Sequence, residues 1–281
     1  MGTKLRCLVF ALDGLEYDLV VKWKLKHLLQ RKYGKMDLGE EYYHKVKDEK
    51  VPYTPIIWTS FITGLPPEKH NVRSIWTYGR VLDFIRKLPV ISWIKNKRKI
   101  LYRLGILEPK IVSKENLKVK TIFDVIKPSI AIRMMAYNED TEQWRKLSKA
   151  MLFEGLKKYE ELLWEDYRKR EKELFDNLCR DWKLLAVYFR IADAMGHIHF
   201  VKRPHVLRRV YRRLDTLVYK VKKRLDEKPI ILIVSDHGME AAPDGTGTHS
   251  RHAFWSINID TDWEPKKITD FFPQIVRWCS E

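Results

Sequence analysis

Residues 5–14 read LRCLVFALDG: a polar start, six consecutive apolar or weakly polar positions from Cys7 to Leu12, then Asp13 and Gly14. The apolar character is continuous rather than alternating, which marks a short strand buried on both faces of a sheet. Two further runs repeat the pattern, LLAVYFRIAD over 184–193 and IILIVSDHG over 230–238, each closing on an acidic residue. A fourth candidate strand is Ser129 to Met135. Helix-period stretches lie between them, over Glu142 to Cys179 and Pro204 to Asp226. Strands of this kind alternating with helices predict an α/β fold, a three-layer α/β/α sandwich around a mostly parallel central sheet. Ligands in such sheets bind beyond the carboxyl ends of the strands, where Asp13, Asp193 and Asp236 fall.

Composition is consistent with one large core. The 281 residues are 45% hydrophobic with a net charge of +17, which excludes disordered and collagen-like classes. A single domain over 1–281 is expected, with residues 79–182 as a helical cap inserted in it. The aromatic and basic stretch from Tyr78 to Leu117 is read either as a cap or lid that covers substrate or touches a membrane, or as an amphipathic insert packed on the core. Cys7, Cys179 and Cys279 are widely spaced and contain no CxxC, so neither a disulfide framework nor a thiolate zinc site is expected. The apolar run before Asp13 is too short for a signal sequence, and no stretch approaches the ~18 apolar residues of a spanning helix. A cytoplasmic chain, at most peripheral to a membrane, is the expectation.

The chemistry-bearing groups are Asp13, Asp193 and His197 in DAMGH, Asp236 and His237 in SDHGM, and His249 in GTGTHS. Three carboxylates and three imidazoles at strand ends are the donors that two divalent cations need, and neutral His with ionised Asp suits Zn²⁺, with Mn²⁺ tolerated. In YTPIIWTSFITG, Tyr53 to Gly64, Thr54 stands before Pro55 and a helical apolar run, the pattern of an N-cap followed by proline at the first helical position. A cap is the plain reading. The functional one places the Thr54 hydroxyl at the positive end of a helix, beside metal, as a nucleophile.

The run TPIIWTSFITGLPPEKH from Thr54 to His70, together with ALDG, YFRIADAMGH, VSDHGM and GTHS in this order, resembles the alkaline phosphatase superfamily, and within it the type I phosphodiesterase/nucleotide pyrophosphatase family. The resemblance spans residues 5 to 78 and 183 to 258. It implies that Asp13, Asp236 and His237 hold one metal and Asp193, His197 and His249 a second, with Thr54 as the nucleophile that touches the first. His70 matches a histidine of the family's TG-x-x-P-x-x-H run and is read as structural. Two departures stand out. Ile75 occupies the position where nucleotide pyrophosphatases supply an asparagine to the phosphoryl oxygen, leaving Asn71, Arg73 or the helix amides as substitute donors. His252, three residues after His249, is a competing imidazole. The activity implied is cleavage of a small phosphodiester or pyrophosphate; a phosphomonoesterase or phosphotransferase on the same site is the alternative.

Val201 to Arg224 carries Lys202, Arg203, Arg208, Arg209, Arg212 and further cations against the single acid Asp215, with apolar residues at helical spacing. One face packs and the other is basic. That face is read as a solvated surface or as one attracted to anionic lipid or nucleic acid. A non-catalytic polyanion-binding protein on the same scaffold is the remaining alternative.

Overall fold

A computed structural model describes residues 5–46, 49–77, 110–225 and 229–280. The strands are β1 (Cys7–Leu12), β2 (Lys32–Asp37), β3 (Tyr43–Val46), β4 (Glu49–Pro52), β5 (Trp76–Thr77), β6 (Lys110–Ile111), β7 (Ser129–Ile132), β8 (Leu184–Phe189), β9 (Ile230–Val234), β10 (Gly238–Ala241), β11 (Gly247–Ser250) and β12 (His252–Ile257). The α-helices are α1 (Tyr17–Lys22), α2 (Lys26–Leu29), α3 (Thr54–Thr63), α4 (Pro67–His70), α5 (Ile122–Val125), α6 (Thr141–Lys149), α7 (Leu156–Leu178), α8 (Ile191–His199), α9 (Pro204–Arg224) and α10 (Phe271–Ser280). Among the described residues no helix is long and apolar enough to cross a membrane.

The central sheet has the order β2-β12-β9-β1-β8-β7. β1 lies between β8 and β9, parallel to both, with Val9 opposite Ala186 and Leu232. β7 extends the parallel set beside β8, and β12 runs antiparallel to both β9 and β2. Side-chain alternation along the strands then separates two cores. Val9, Ala11, Ala186, Tyr188 and Leu232 face Ile57, Trp58 and Phe61 of α3 and Phe271 of α10. Leu8, Phe10, Val187 and Ile233 face Leu163 and Leu174 of α7 and Leu207, Val210 and Leu214 of α9. Covering both faces is why the strand sequences are apolar throughout. β2 and β12 were not among the expected strands. β2 is an edge strand with the mainly polar sequence KYGKMD and little burial, so it lacks the apolar run that marked the others.

Of the span expected as an insertion, residues 79–109, which with residue 78 include most of the aromatic and basic stretch, lie outside the described residues. From Lys110 onward the span supplies β7 to the sheet, with Ile130 opposite Leu185, and α7 to its flank. The α/β framework thus continues well into it. The helix expected over Glu142 to Cys179 is interrupted: α6 passes into a π turn, Ala150–Glu154, and α7 begins only after Gly155, whose φ of 91° is a conformation suited to glycine.

Candidate active site

Asp13 follows β1, Asp193 lies in the first turn of α8 after β8, and Asp236 follows β9, so three adjacent parallel strands deliver three carboxylates to one end of the sheet. The backbones interlock there. Asp13 N–H donates to Phe189 O at 2.9 Å and Asp193 N–H to Asp13 O at 3.0 Å. Gly14 has a φ of 67°, and a Cβ at that position would stand 2.6 Å from Asp193 Cα, so the close approach of the first and second acidic turns requires glycine.

Among the described residues three groups of ligand atoms occur, two of them at these strand ends: Asp13, Asp236 and His237, all buried, and Asp193, His197 and His249, which are more open; the third is Glu16, Asp18 and His252. In the buried group His237 Nε2 is 3.4 Å from both Asp13 Oδ1 and Asp236 Oδ2. Thr54 Oγ1 stands 3.1 Å from the same nitrogen. In the open group His197 Nε2 is 3.2 Å from Asp193 Oδ1 and 3.0 Å from His249 Nε2, which is itself 3.4 Å from Asp193 Oδ1. The His237 and His249 rings stack with centroids 3.6 Å apart, so the groups share a wall.

Several features suit this donor set to cations. Each histidine turns Nδ1 to a backbone carbonyl: His237 to Gly238 O at 2.9 Å, His197 to Gly247 O at 2.8 Å, and His249 to Pro52 O at 2.7 Å. A proton on Nδ1 directs the Nε2 lone pair into the group, the usual second-layer support of a metal-binding imidazole. Asp13 Oδ1, Asp193 Oδ1 and Asp236 Oδ2 are buried without a well-aligned donor, which a neutral core would not tolerate. The separations of 3.0–3.4 Å also match the ~3.3 Å edge of a tetrahedron with ~2.0 Å metal–ligand bonds.

In the buried group the electrostatics agree, whereas in the open group, against the effect of burial, Asp193 and His197 pair with each other, which lowers the carboxyl and lifts the imidazole to about 9. Burial, followed by the charges of Asp236 and Asp193, pushes Asp13 well above the usual carboxylate range. Burial likewise lifts Asp236 to about 7, with Asp193 adding to the rise. For His237, burial and the neighbouring His249 keep the ring neutral. These carboxylates repel one another in a dry site, and a divalent cation would relieve that repulsion.

Thr54 is the first residue of α3, and Tyr53, not Thr54, is the N-cap. The Thr54 hydroxyl therefore points to His237 instead of capping its own helix. The helix amides expected to hold an anion are partly engaged: Ile56 and Ile57 N–H donate to Tyr53 O at 3.0 and 3.3 Å, and Pro55 has no N–H. Asn71 is exposed and forms the left-handed C-cap of α4, with φ 60°. The half-exposed Arg73 is 3.7 Å from Glu68. No contact among the described residues brings either to Thr54.

His252 goes elsewhere. Its Nε2 is 3.0 Å from Glu16 Oε1, and Glu16 Oε2 accepts from Met239 N–H at 2.8 Å and Ser250 Oγ at 3.1 Å. Glu16 thus ties the start of α1 to β10 and β11. His249→Ala is expected to remove about one bound metal equivalent. His252→Ala should instead leave metal content unchanged and lower stability by about 1–2 kcal/mol. Elemental analysis of the dialysed holoprotein, with urea unfolding of both variants, separates the two roles, and the opposite ranking would exchange them.

His70 serves the local structure. Its Nδ1 accepts from Val72 N–H at 3.1 Å, which leaves Nε2–H to donate to Ser60 Oγ at 2.9 Å and fasten α4 to α3. Burial, reinforced by Arg73, lowers its pKa to about 4. The unfolded chain binds this proton near pH 6.5 and the folded chain only near 4, so the stability this residue contributes is complete above about 6.5 and lost as the pH falls to about 4. On the order of 2–3 kcal/mol is at stake. The stability difference between wild type and His70→Gln should shrink across that window; a flat difference in urea midpoints would contradict the assignment.

Sequence reasoning missed the groups behind the ligands. Tyr188, inside the apolar run of β8, donates its hydroxyl to Asp13 Oδ2, leaving Oδ1 for the cluster. Ser235 Oγ accepts from Leu15 N–H at 2.9 Å and donates to His237 O, joining the turns after β1 and β9. Nothing in a linear reading distinguishes Tyr188 from its apolar neighbours.

The fold and site together define an α/β protein with two Asp/His groups, able to hold metal cations, at the carboxyl end of a mostly parallel sheet. Residues 7–264 match the model of the type I phosphodiesterase/nucleotide pyrophosphatase family, and the chain belongs to that family. Among solved structures it is similar to murine ectonucleotide pyrophosphatase/phosphodiesterase 5, at 13% identity and a TM-score of 0.49, over 85% of this chain and 59% of that one. An inactive threonine-to-alanine variant of the murine protein, in complex with AMP, gives 14% identity and a TM-score of 0.47 over the same shares of the two chains. The chain therefore spans about 59% of the length of these structures. No curated protein matches it.

Proposed function

We propose that the protein is a metal-dependent phosphoric ester hydrolase of the phosphodiesterase/pyrophosphatase type, with Thr54 as its nucleophile. The observation that carries this reading is the hydroxyl of Thr54, a residue only 7% exposed, 3.1 Å from His237 Nε2 at the edge of one of two adjoining Asp/His groups. Asp13, Asp236 and His237 would hold one cation and Asp193, His197 and His249 a second; the donors suit Zn²⁺, with Mn²⁺ tolerated. Bound there, divalent cations supply Lewis-acid charge beside the nucleophile and beside the leaving oxygen.

The chain's own residues do the rest. Thr54 Oγ1 gives its proton to solvent and attacks phosphorus in line; the Oγ–P bond forms as the bond from phosphorus to the leaving oxygen breaks, and that oxygen departs with the bonding pair and takes a proton from water. Water then cleaves the phosphothreonine ester, returning Thr54 and releasing the phosphoryl product. The N-terminal placement of Thr54 on the fully buried α3 fixes its oxygen, so little orientational freedom has to be removed before attack. Its neighbours favour a diester over a monoester dianion, because Arg73 faces Glu68 and no described cationic side chain is paired with the Thr54 hydroxyl.

Initial rates on bis(p-nitrophenyl) phosphate and p-nitrophenyl phosphate, with Zn²⁺ or Mn²⁺ returned to stripped protein, test the proposal. Faster metal-dependent release from the diester is expected. A monoester preference would move the protein to a phosphatase on the same site, and absence of metal-dependent turnover on either compound and on dinucleotide pyrophosphates would refute the hydrolase.

A further inference from the structure

The π turn at Ala150–Glu154 has a consequence for the surface. It leaves Met151 47%, Leu152 52% and Phe153 47% exposed, and Leu156, across Gly155, 37% exposed. Val201, between α8 and α9, is 45% exposed. These are five of the ten large apolar side chains exposed among the described residues. They gather at one end of the sheet. α7 and α9 each lead into a parallel strand, β8 and β9, so both helices begin at the carboxyl ends of the strands, where Asp193 and His197 lie. Glu160, on the first turns of α7, is 2.9 Å from His199 Nε2 at the end of α8, which brings the two apolar groups toward each other.

The surroundings are basic. Lys157, Lys202 and Arg203 are exposed beside these apolar residues, and Arg208, Arg209 and Arg212 continue along the exposed face of α9. The acids Glu154 and Glu161 are met by Lys149 at 3.4 Å and Lys158 at 3.5 Å. A clustered apolar tip is unusual on a water-facing surface, and an apolar tip with a cationic border is the composition that enters the headgroup region of a bilayer. A second copy of this chain is a poor partner, since each copy carries a net charge of +17.

We propose that this tip docks the protein on an anionic lipid bilayer, Met151, Leu152 and Leu156 entering the interface while Lys157, Lys202 and Arg203 meet headgroup phosphates. The docked protein presents the end of the sheet that carries the Asp/His groups to the bilayer. Docking goes beyond the hydrolase reading and does not depend on it.

The experiment is co-sedimentation of the full chain with vesicles of phosphatidylcholine alone and of phosphatidylcholine mixed with phosphatidylglycerol, at low and raised salt. Binding to the mixed vesicles, weakened by salt, is expected. The double substitution Leu152→Asp and Leu156→Asp should weaken it by about tenfold or more. Because both side chains are exposed, circular dichroism and the rate on a soluble diester should be unchanged, so loss of docking and loss of hydrolysis are read separately. Equal binding by the double variant would assign attraction to the basic face of α9 alone and overturn the proposal. So would the absence of vesicle binding, or a dimer on size exclusion that the double substitution dissolves without vesicle binding by the wild type.

Discussion

Thr54→Ala is expected to lower turnover of a phosphodiester by at least about a thousandfold while leaving metal content and unfolding midpoint close to wild type. Thr54 Oγ1 makes its described side-chain contact with His237 Nε2, and the three side chains that would hold the adjoining cation are supported independently of it, Asp13 by Tyr188, Asp236 by Gly14 N–H at 3.3 Å and His237 by Gly238 O. Removing a hydroxyl and a methyl at the first position of a helix capped by Tyr53 disturbs little else. The substitution therefore separates chemistry from binding. A serine at this position retains an oxygen nucleophile and should recover part of the rate, whereas a second Thr54→Ala measurement by calorimetric Zn²⁺ titration should show two sites still filled. Turnover by Thr54→Ala within tenfold of wild type would remove Thr54 from the mechanism.

Arg170→Met is expected to destabilise the protein by about 3–5 kcal/mol. Arg170 is fully buried on α7. Its guanidinium donates to Glu139 at 2.7 Å, to Asp166 at 2.8 Å and to Tyr188 O at 2.8 Å. Arg190, just before α8, is 2.7 Å from the same Glu139 oxygen and stacks on Trp144 at 4.2 Å. Two buried cations and two buried acids thus lock α7 against the end of β8, next to the turn that carries Asp193. With Arg170 replaced by methionine, Glu139 is left with Arg190, and Asp166 with Arg190 at 3.4 Å and Arg133 at 3.9 Å; the under-compensated buried negative charge is the main loss. Arg170→Met with Glu139→Gln restores the charge balance and should lose clearly less than the two single changes added together, by at least about 1 kcal/mol. Additive urea midpoints would show that the network acts as independent contacts.

How much was legible depended on where the physical signal resides. β1, β8 and β9 were readable because strands covered on both faces must be apolar at every position; a lone Asp closing such a run is commonly a cap or turn residue, and Asp13, Asp193 and Asp236 were readable because three runs close this way together with His197, His237 and His249. β2 escaped because an edge strand buries little. Gly155 and the π turn escaped because Glu142 to Cys179 keeps a helical apolar period, while the break is set by one glycine backbone and gains its meaning from the solvent around Met151, Leu152 and Phe153.

The sequence by itself determined the class of fold, the order of the acidic and imidazole groups and the family to which the chain belongs. Tertiary structure decided which imidazole joins which carboxylate. His249 meets Asp193 because β11 turns its Nδ1 onto Pro52 O, and His252, three residues on, faces Glu16 from β12. It also decided that Tyr188 would hold Asp13 and that Arg170 would hold Tyr188 in turn. Periodicity records burial along one element, whereas these pairings join residues up to 236 positions apart, some of them through backbone carbonyls that carry no side-chain signature.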